Sequence, residues 1–248
     1  MSVILKKPLS LTDKKFHYCP GCTHGVIHRL IAEIIDEYDI REQTIGIAPV
    51  GCSVFLDWYF NFDIIQAAHG RAPAVATGVK RVLTENVVFT YQGDGDLASI
   101  GIAELIHAAA RGENITIVFI NNACYGMTGG QMAPTTLEKQ ITTTTPYGRD
   151  HKTSGSPFFV PELLTNMHGV GFLSRRAINN PKNIVRTKKS LKTAFKVQME
   201  GLGFSFVEIL SICPVNWGMD PQKSMQWLED NIIPHYPLGD IKMPDFDV

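Results

Sequence analysis

Residues 93–122 read GDGDLASIGIAELIHAAARGENITIVFINN. The run VVFTYQ at 87–92 is strand-like, and the Gly-Asp-Gly turn after it opens a helix predicted over 97–111. Its apolar residues Ile100, Ala103, Leu105, Ile106 and Ala109 recur at helical spacing. ITIVFI at 115–120 is a second strand, ending on Asn121 and Asn122. Such a unit brings both turns to one edge of a parallel sheet, where open α/β folds place their ligands. The residue types suit a magnesium diphosphate. Magnesium takes hard oxygen ligands in octahedral geometry, few of them from protein when phosphates supply the rest. Asp94 offers a carboxylate oxygen, Asn122 an amide oxygen, and Cys124 a backbone carbonyl. Gly93 and Gly95 have no Cβ to hold the main chain away from the diphosphate. Asp96 is expected to cap the helix, whose N-terminus favours anions. A lone GDG would mark only a turn, and a purely structural βαβ unit is the alternative.

Outward from this unit, helices and strands alternate. Val26, Ile27, Leu30, Ile31, Ile34 and Ile35 predict a helix over 25–38, with Thr23 as its cap. A strand is expected at 44–49, helices at 74–83, 160–167 and 182–199, and a buried strand at 204–212. The Gly-, Thr- and Pro-rich stretch 123–156 reads as a long functional loop, and the chain from Cys213 as irregular apart from a helix at 221–231. The fold expected is a doubly wound, mostly parallel α/β sheet, with residues 1–248 forming a single domain.

The chain has 248 residues and a formal net charge of −1, from 23 Lys and Arg against 24 Asp and Glu. That balance gives no case for nucleic acid or an anionic membrane as partner. The N-terminus, MSVILKKPLSLTDKKF, lacks the apolar stretch and cleavage site of a secretory leader. No segment has the roughly 20 apolar residues that span a bilayer. A cytoplasmic protein is expected, in which cysteines serve as metal ligands or catalysts more often than as disulfides.

Cys19 and Cys22 lie in Cys-Pro-Gly-Cys before the first helix, Cys52 follows a strand in PVGCS, and Cys213 ends the last strand in LSICPVNWG. One close pair plus two distant single residues reads as an iron–sulfur cluster or as structural zinc, with unrelated core thiols as the third reading.

Together HYCPGCTHG, PVGCS, HGRAPAVATGVKR, GDGD, INNACYGMTGGQMAPTT, TTPYGR and CPVNWG resemble the beta subunit of 2-oxoacid:ferredoxin oxidoreductases, from about His17 to Gly218. The resemblance implies a thiamine-diphosphate-binding fold carrying thiamine diphosphate, Mg2+ and a [4Fe–4S] cluster. It makes Cys19, Cys22, Cys52 and Cys213 the cluster ligands. It makes Asp94, Asn122 and the Cys124 carbonyl the magnesium ligands. The implied activity is oxidative decarboxylation of a 2-oxo acid to acyl-coenzyme A and CO2, with electrons passing through the cluster to ferredoxin. The glutamate that thiamine chemistry needs is expected on an alpha subunit carrying a pyrimidine-binding domain, and gamma and delta subunits are further candidate partners. A cluster-free thiamine-dependent decarboxylase or synthase half, and a non-catalytic zinc-stabilised or electron-transfer subunit, are the competing readings.

His69 and Arg71 of His-Gly-Arg, together with Thr128, are the catalytic candidates. Cys52, His69, Gly70, Gly93, Asp94, Gly95, Asp96, Asn122, Gly126, Met127 and Thr128 are the candidate cofactor contacts. His17 and His24 read as surroundings of the CPGC pair. Lys182, Arg186, Lys189, Lys192 and Lys196 form a basic helix stripe, read either as a solvated face or as a docking face for an acidic ferredoxin or neighbouring subunit. The aromatic SVFLDWYF after Cys52 contains no Lys or Arg, and Met127 and Met132 add apolar surface. These favour branched-chain 2-oxo acids such as 2-oxoisovalerate over 2-oxoglutarate, whose distal carboxylate wants a cation. The alternative is that the aromatics are core.

Overall fold

The computed structural model describes residues 6–244; residues 1–5, part of the stretch read as lacking a leader, lie outside them. Seven strands form one sheet: β1 (Thr44–Ala48), β2 (Asp63–Gln66), β3 (Val87–Gly93), β4 (Thr116–Asn121), β5 (Val170–Ala177), β6 (Phe204–Leu210) and β7 (Gly239–Lys242). Their order is β2-β1-β3-β4-β6-β5-β7, and every pairing is parallel except the edge pair β5–β7. This is the doubly wound α/β fold that the alternation predicts.

Central strands are buried on both faces, and successive residues point to opposite sides. Phe89, Tyr91, Val118, Ile120, Val207 and Ile209 pack under helices His24–Tyr38 and Pro181–Met199, through Ile27, Ile31, Leu191 and Phe195. Val88, Ile117, Phe119 and Phe206 pack on the other side under Ala72–Val82 and Ile102–Ala110, through Ala76, Leu105 and Ala109. Each such side chain contributes about 1.5–3 kcal/mol on burial. Both faces of the sheet are therefore spent on the core, and the loops at the carboxyl ends of the strands are left to carry function.

The elements differ from expectation in instructive places. The helix expected over 97–111 is broken: a π-helical turn, Gly95–Ile100, precedes Ile102–Ala110. At the joint, a Cβ on Gly101 would lie 2.6 Å from the Asp96 carbonyl and 2.7 Å from that of Gly70. Asp96 does not cap this segment; Asp94 accepts from Gly95 N–H instead, and Asp96 turns inward. Thr23 stands at the N-cap of the first helix as expected, but its hydroxyl bonds Ser211 Oγ at 2.6 Å and makes no capping bond to the helix. The helix expected over 160–167 is the single turn Val160–Leu163, and strands β2, β5 and β7 went unpredicted.

The long loop is ordered around buried Arg149, which donates to the carbonyls of Ala133, Pro134, Thr136, Ser154, Gly155 and Ser156. In the basic stripe, Lys192 pairs with Glu37 and Lys196 with Glu200, while Lys188 pairs with Glu33 and Glu37. Lys192, with the neighbouring Lys188, is thereby turned toward the first helix. Among the described residues no helix is long and apolar enough to cross a membrane.

A candidate cofactor site at the carboxyl edge of the sheet

The chain leaves β1 outward to β2 and returns to β3 on the other side, so the loops after β1 and β3 diverge and open a crevice. A cleft of about 200 Å³ lies there. Val50, Gly51, Cys52 and Ser53 after β1 line it. Gly93 to Asp96 after β3 and Asn122, Tyr125, Gly126, Met127 and Thr128 after β4 complete it, with His24 and His69 at its wall.

Asp94 is 2% exposed. Its carboxylate accepts from Gly95 N–H (3.0 Å), Cys124 N–H (3.1 Å) and Thr135 Oγ1 (2.9 Å). Burial pushes its pKa up to about 7, against those three hydrogen bonds, which lower it. An ionised carboxylate there calls for a cation. Asn122 Oδ1 accepts from the same Cys124 N–H at 3.3 Å, so both proposed side-chain oxygens converge on one amide. Between them Ala123 holds φ 56°, in the left-handed region. A hard cation fits this oxygen set.

Glycines shape the rest. A Cβ on Gly93 would meet nothing within 4 Å, whereas one on Gly95 would strike the Tyr125 ring at 2.4 Å. Asp96 ties the walls together: it accepts from His69 Nδ1 (2.6 Å), Gly70 N–H (2.9 Å), Val50 N–H (3.3 Å) and Gln92 Nε2 (2.5 Å). His69 is thereby fixed at the cleft. Gly70 and Arg71 do not line it; Arg71 pairs with Glu104 at 2.5 Å. Thr128 lines the cleft with its hydroxyl bonded to Gln131 Oε1.

The four cysteines gather behind the same loops. A Cβ on Gly126 would lie 3.1 Å from Cys52 Sγ and 3.7 Å from Cys213 Sγ, so a glycine separates the two sulfurs. Burial first, then the neighbouring Cys213, Cys22 and Cys19, pushes the Cys52 thiol up to about 12. Burial likewise takes Cys22 up to about 11. Cys213 is lowered by hydrogen bonds from the Cys124 thiol and from Asn216, whose Nδ2 lies 3.1 Å from its sulfur. Among the described residues no three His, Cys, Asp or Glu side chains close around a single metal ion. Thiols in this number suit an iron–sulfur cluster and a tetrahedral zinc alike. Cys52 belongs to both places.

Sequence reasoning missed His24, Ser53, Tyr125 and Thr135. Tyr125 stands inside the INNACYG motif and could have been found there; Thr135 carries no spacing signal. His24 Nδ1 bonds Tyr91 Oη at 2.6 Å, and burial holds its pKa down to about 4, so it meets the cleft neutral. Of the segment SVFLDWYF after Cys52, Ser53 lines the cleft but the aromatic residues do not: Leu56, Tyr59 and Phe60 are buried, and Phe55 stacks on Trp58. Met132 also lies outside it, while Met127 lines it.

Residues 50–209 match the family described as thiamine pyrophosphate enzyme, C-terminal TPP binding domain. The chain is 45% identical to ketoisovalerate oxidoreductase subunit VorA of Methanothermobacter thermautotrophicus, over 96% of this chain and 52% of that one. It therefore spans about half the length of that relative. With 2-oxoglutarate synthase subunit KorB of Archaeoglobus fulgidus it shares 35% identity over 86% of this chain and 76% of the relative. The structure of a 2-oxoglutarate:ferredoxin oxidoreductase from Magnetococcus marinus, with 2-oxoglutarate, coenzyme A and succinyl-CoA bound, superposes with a TM-score of 0.77. It is 25% identical, over 99% of this chain and 87% of that one. The chain belongs to the thiamine-diphosphate-binding subunits of the 2-oxoacid oxidoreductases.

Proposed function

We propose that this chain supplies the diphosphate-binding half of a coenzyme-A-acylating 2-oxoacid:ferredoxin oxidoreductase. The observation that carries the reading is the buried Asp94 carboxylate facing Asn122 across one shared amide, at a cleft that Cys52 also lines. Asp94, Asn122 and the Cys124 carbonyl would hold Mg2+ and through it the diphosphate. When bound, thiamine diphosphate supplies the electron sink for decarboxylation of a 2-oxo acid. Gly93 would let the main chain approach the phosphates, and the Tyr125 ring leaves no room for a Cβ at Gly95. His69, oriented by Asp96, presents a ring nitrogen to the cleft for proton handling. Cys19, Cys22, Cys52 and Cys213 would hold a [4Fe–4S] cluster, and Cys52, on the cleft wall, keeps the electron path from substrate short. The activating glutamate comes from an alpha subunit with a pyrimidine-binding domain, and ferredoxin and coenzyme A complete the reaction. A cytoplasmic setting keeps the thiols reduced for this role.

The substrate proposed is a branched-chain 2-oxo acid such as 2-oxoisovalerate. Support moves from the aromatic segment to the cleft itself, where Val50, Met127 and Tyr125 stand without any Lys or Arg to pair a distal carboxylate. The 45% match to a ketoisovalerate oxidoreductase subunit, against 35% to a 2-oxoglutarate synthase subunit, points the same way. Coenzyme-A-dependent viologen reduction by the assembled complex, compared across pyruvate, 2-oxoisovalerate, indolepyruvate and 2-oxoglutarate, tests it. The highest kcat/KM is expected for 2-oxoisovalerate; a clear lead for 2-oxoglutarate overturns the preference.

A further inference from the structure

We infer that Asn121, Glu208 and Arg175 form a buried strut that positions the turn at 122–124 for the cation, an inference that rests on reading Asp94, Asn122 and the Cys124 carbonyl as its ligands. Asn121, the last residue of β4, is fully buried and does not line the cleft. Its amide joins two things. Oδ1 accepts from Ala123 N–H at 3.1 Å, and Nδ2 donates to Glu208 Oε1 at 2.7 Å. Glu208 is 0% exposed, and its other oxygen takes Arg175 Nε at 2.5 Å. Arg175, 1% exposed, forks its remaining nitrogens onto the Glu162 carboxylate at 2.7 and 2.6 Å. Sheet register places Glu208 opposite both Phe119 and Arg175, so the row runs across three adjacent strands.

Ala123 is what the strut holds. Its φ of 56° is unfavourable for a residue with a Cβ, and the bond from its N–H to Asn121 stabilises that conformation. The left-handed residue turns the chain so that Asn122 Oδ1 and Cys124 N–H both meet the Asp94 side. A second arm starts from the same cation. The Arg175 guanidinium lies 5.3 Å from the centre of the Tyr236 ring, Tyr236 Oη donates to the Thr135 carbonyl at 2.8 Å, and Thr135 Oγ1 donates to Asp94 at 2.9 Å. One buried ion pair braces both segments that build the cation site. A buried pair is weak as a source of net stability, since desolvation offsets its attraction. Geometry at the site is the role that its position supports. These are positioning residues; none touches the reacting atoms.

The test is magnesium-dependent thiamine diphosphate binding, measured by calorimetry on the full chain assembled with its partner subunits, beside its melting temperature. Asn121→Leu, which removes both amide contacts, should weaken binding about tenfold or more, the usual effect of losing an outer partner of a metal ligand. Adding Ala123→Gly should restore it, because glycine adopts the left-handed conformation unaided. Should Asn121→Leu fail to fold, Arg175→Met/Glu208→Leu keeps an apolar interior while leaving the Asn121 amide without its acceptor, and should show the same loss of affinity with the melting temperature retained. Wild-type binding by Asn121→Leu, or a loss that Ala123→Gly does not restore, overturns the strut. Asp94→Ala separates the two readings. If it abolishes binding while Asn121→Leu does not weaken it, the strut alone is wrong; if Asp94→Ala binds normally, the cation site itself is wrong.

Discussion

At the residue scale, Asp94 carries the account. A carboxyl 2% exposed, with three hydrogen bonds and no cationic side chain bonded to it among the described residues, keeps its charge only beside a cation. Asp94→Ala or Asn122→Ala should therefore abolish magnesium-dependent retention of thiamine diphosphate while leaving the far-ultraviolet circular dichroism spectrum and cooperative unfolding unchanged. Unaltered cofactor content in either purified variant contradicts the assignment. These two residues were legible because their chemistry sits in a short, ordered motif. Thr135 was not, because a hydroxyl 41 residues from its partner leaves no local pattern. Asn121 was legible only as a neighbour of Asn122, since both asparagines look alike until the strand shows which side each faces.

At the scale of elements, glycines separate packing from freedom. Gly101, where the π-helical turn meets the next helix, is hemmed in by two backbone carbonyls that cannot move aside as a side chain can. Gly101→Ala should lower the unfolding free energy by about 1–3 kcal/mol through overpacking. Gly78, inside the helix Ala72–Val82, has nothing within 4 Å of its Cβ position. Gly78→Ala should instead raise stability by about 0.5–1 kcal/mol. Urea denaturation of the two variants measures both, and equal signs would contradict the close approach at Gly101. The same crowding explains why apolar spacing ran the helix straight through 97–111: periodicity reports which face is buried and says nothing of a backbone contact. Strand β5 escaped notice for another reason. Arg175 and Arg176 interrupt VGFLSRRA, and only the tertiary partners Glu208 and Glu162 make a buried arginine acceptable there. Strand β2 has four residues, too few for alternation to register.

For the whole molecule, a cage of histidines and tyrosines behind the CPGC turn sets a pH dependence. His24 and His28 are buried and neutral: burial first, then neighbouring histidines, hold His24 at about 4 and His28 well below its usual value. The unfolded chain takes up these protons below about pH 6.5 and the folded chain does not, so what the two histidines contribute to stability falls as pH drops from about 6.5 toward 4. At about 1.4 kcal/mol per pH unit, His24 alone accounts for roughly 3 kcal/mol across that window. Asp94, held up to about 7 by burial, titrates the other way over the same window, so the readout is the difference between wild type and His28→Phe: denaturant unfolding at a series of pH values should show a smaller loss of stability with acid in the variant, and the same pH slope in both would contradict the buried neutral cage.

The same scale shows how the site is assembled. One sheet edge gathers Cys52 from the loop after β1, Asp94 after β3, Asn122 after β4 and Cys213 after β6, which the parallel order brings together and which no stretch of sequence contains. The most direct test of the central claim, that a cluster and a magnesium diphosphate share this edge, is iron and acid-labile sulfide analysis of the anaerobically purified chain. About four iron and four sulfide per chain are predicted, lost on replacing Cys19, Cys22, Cys52 or Cys213 with Ala and kept in Cys124→Ala. One zinc per chain, no metal at all, or loss of iron only in the Cys124 variant would contradict it.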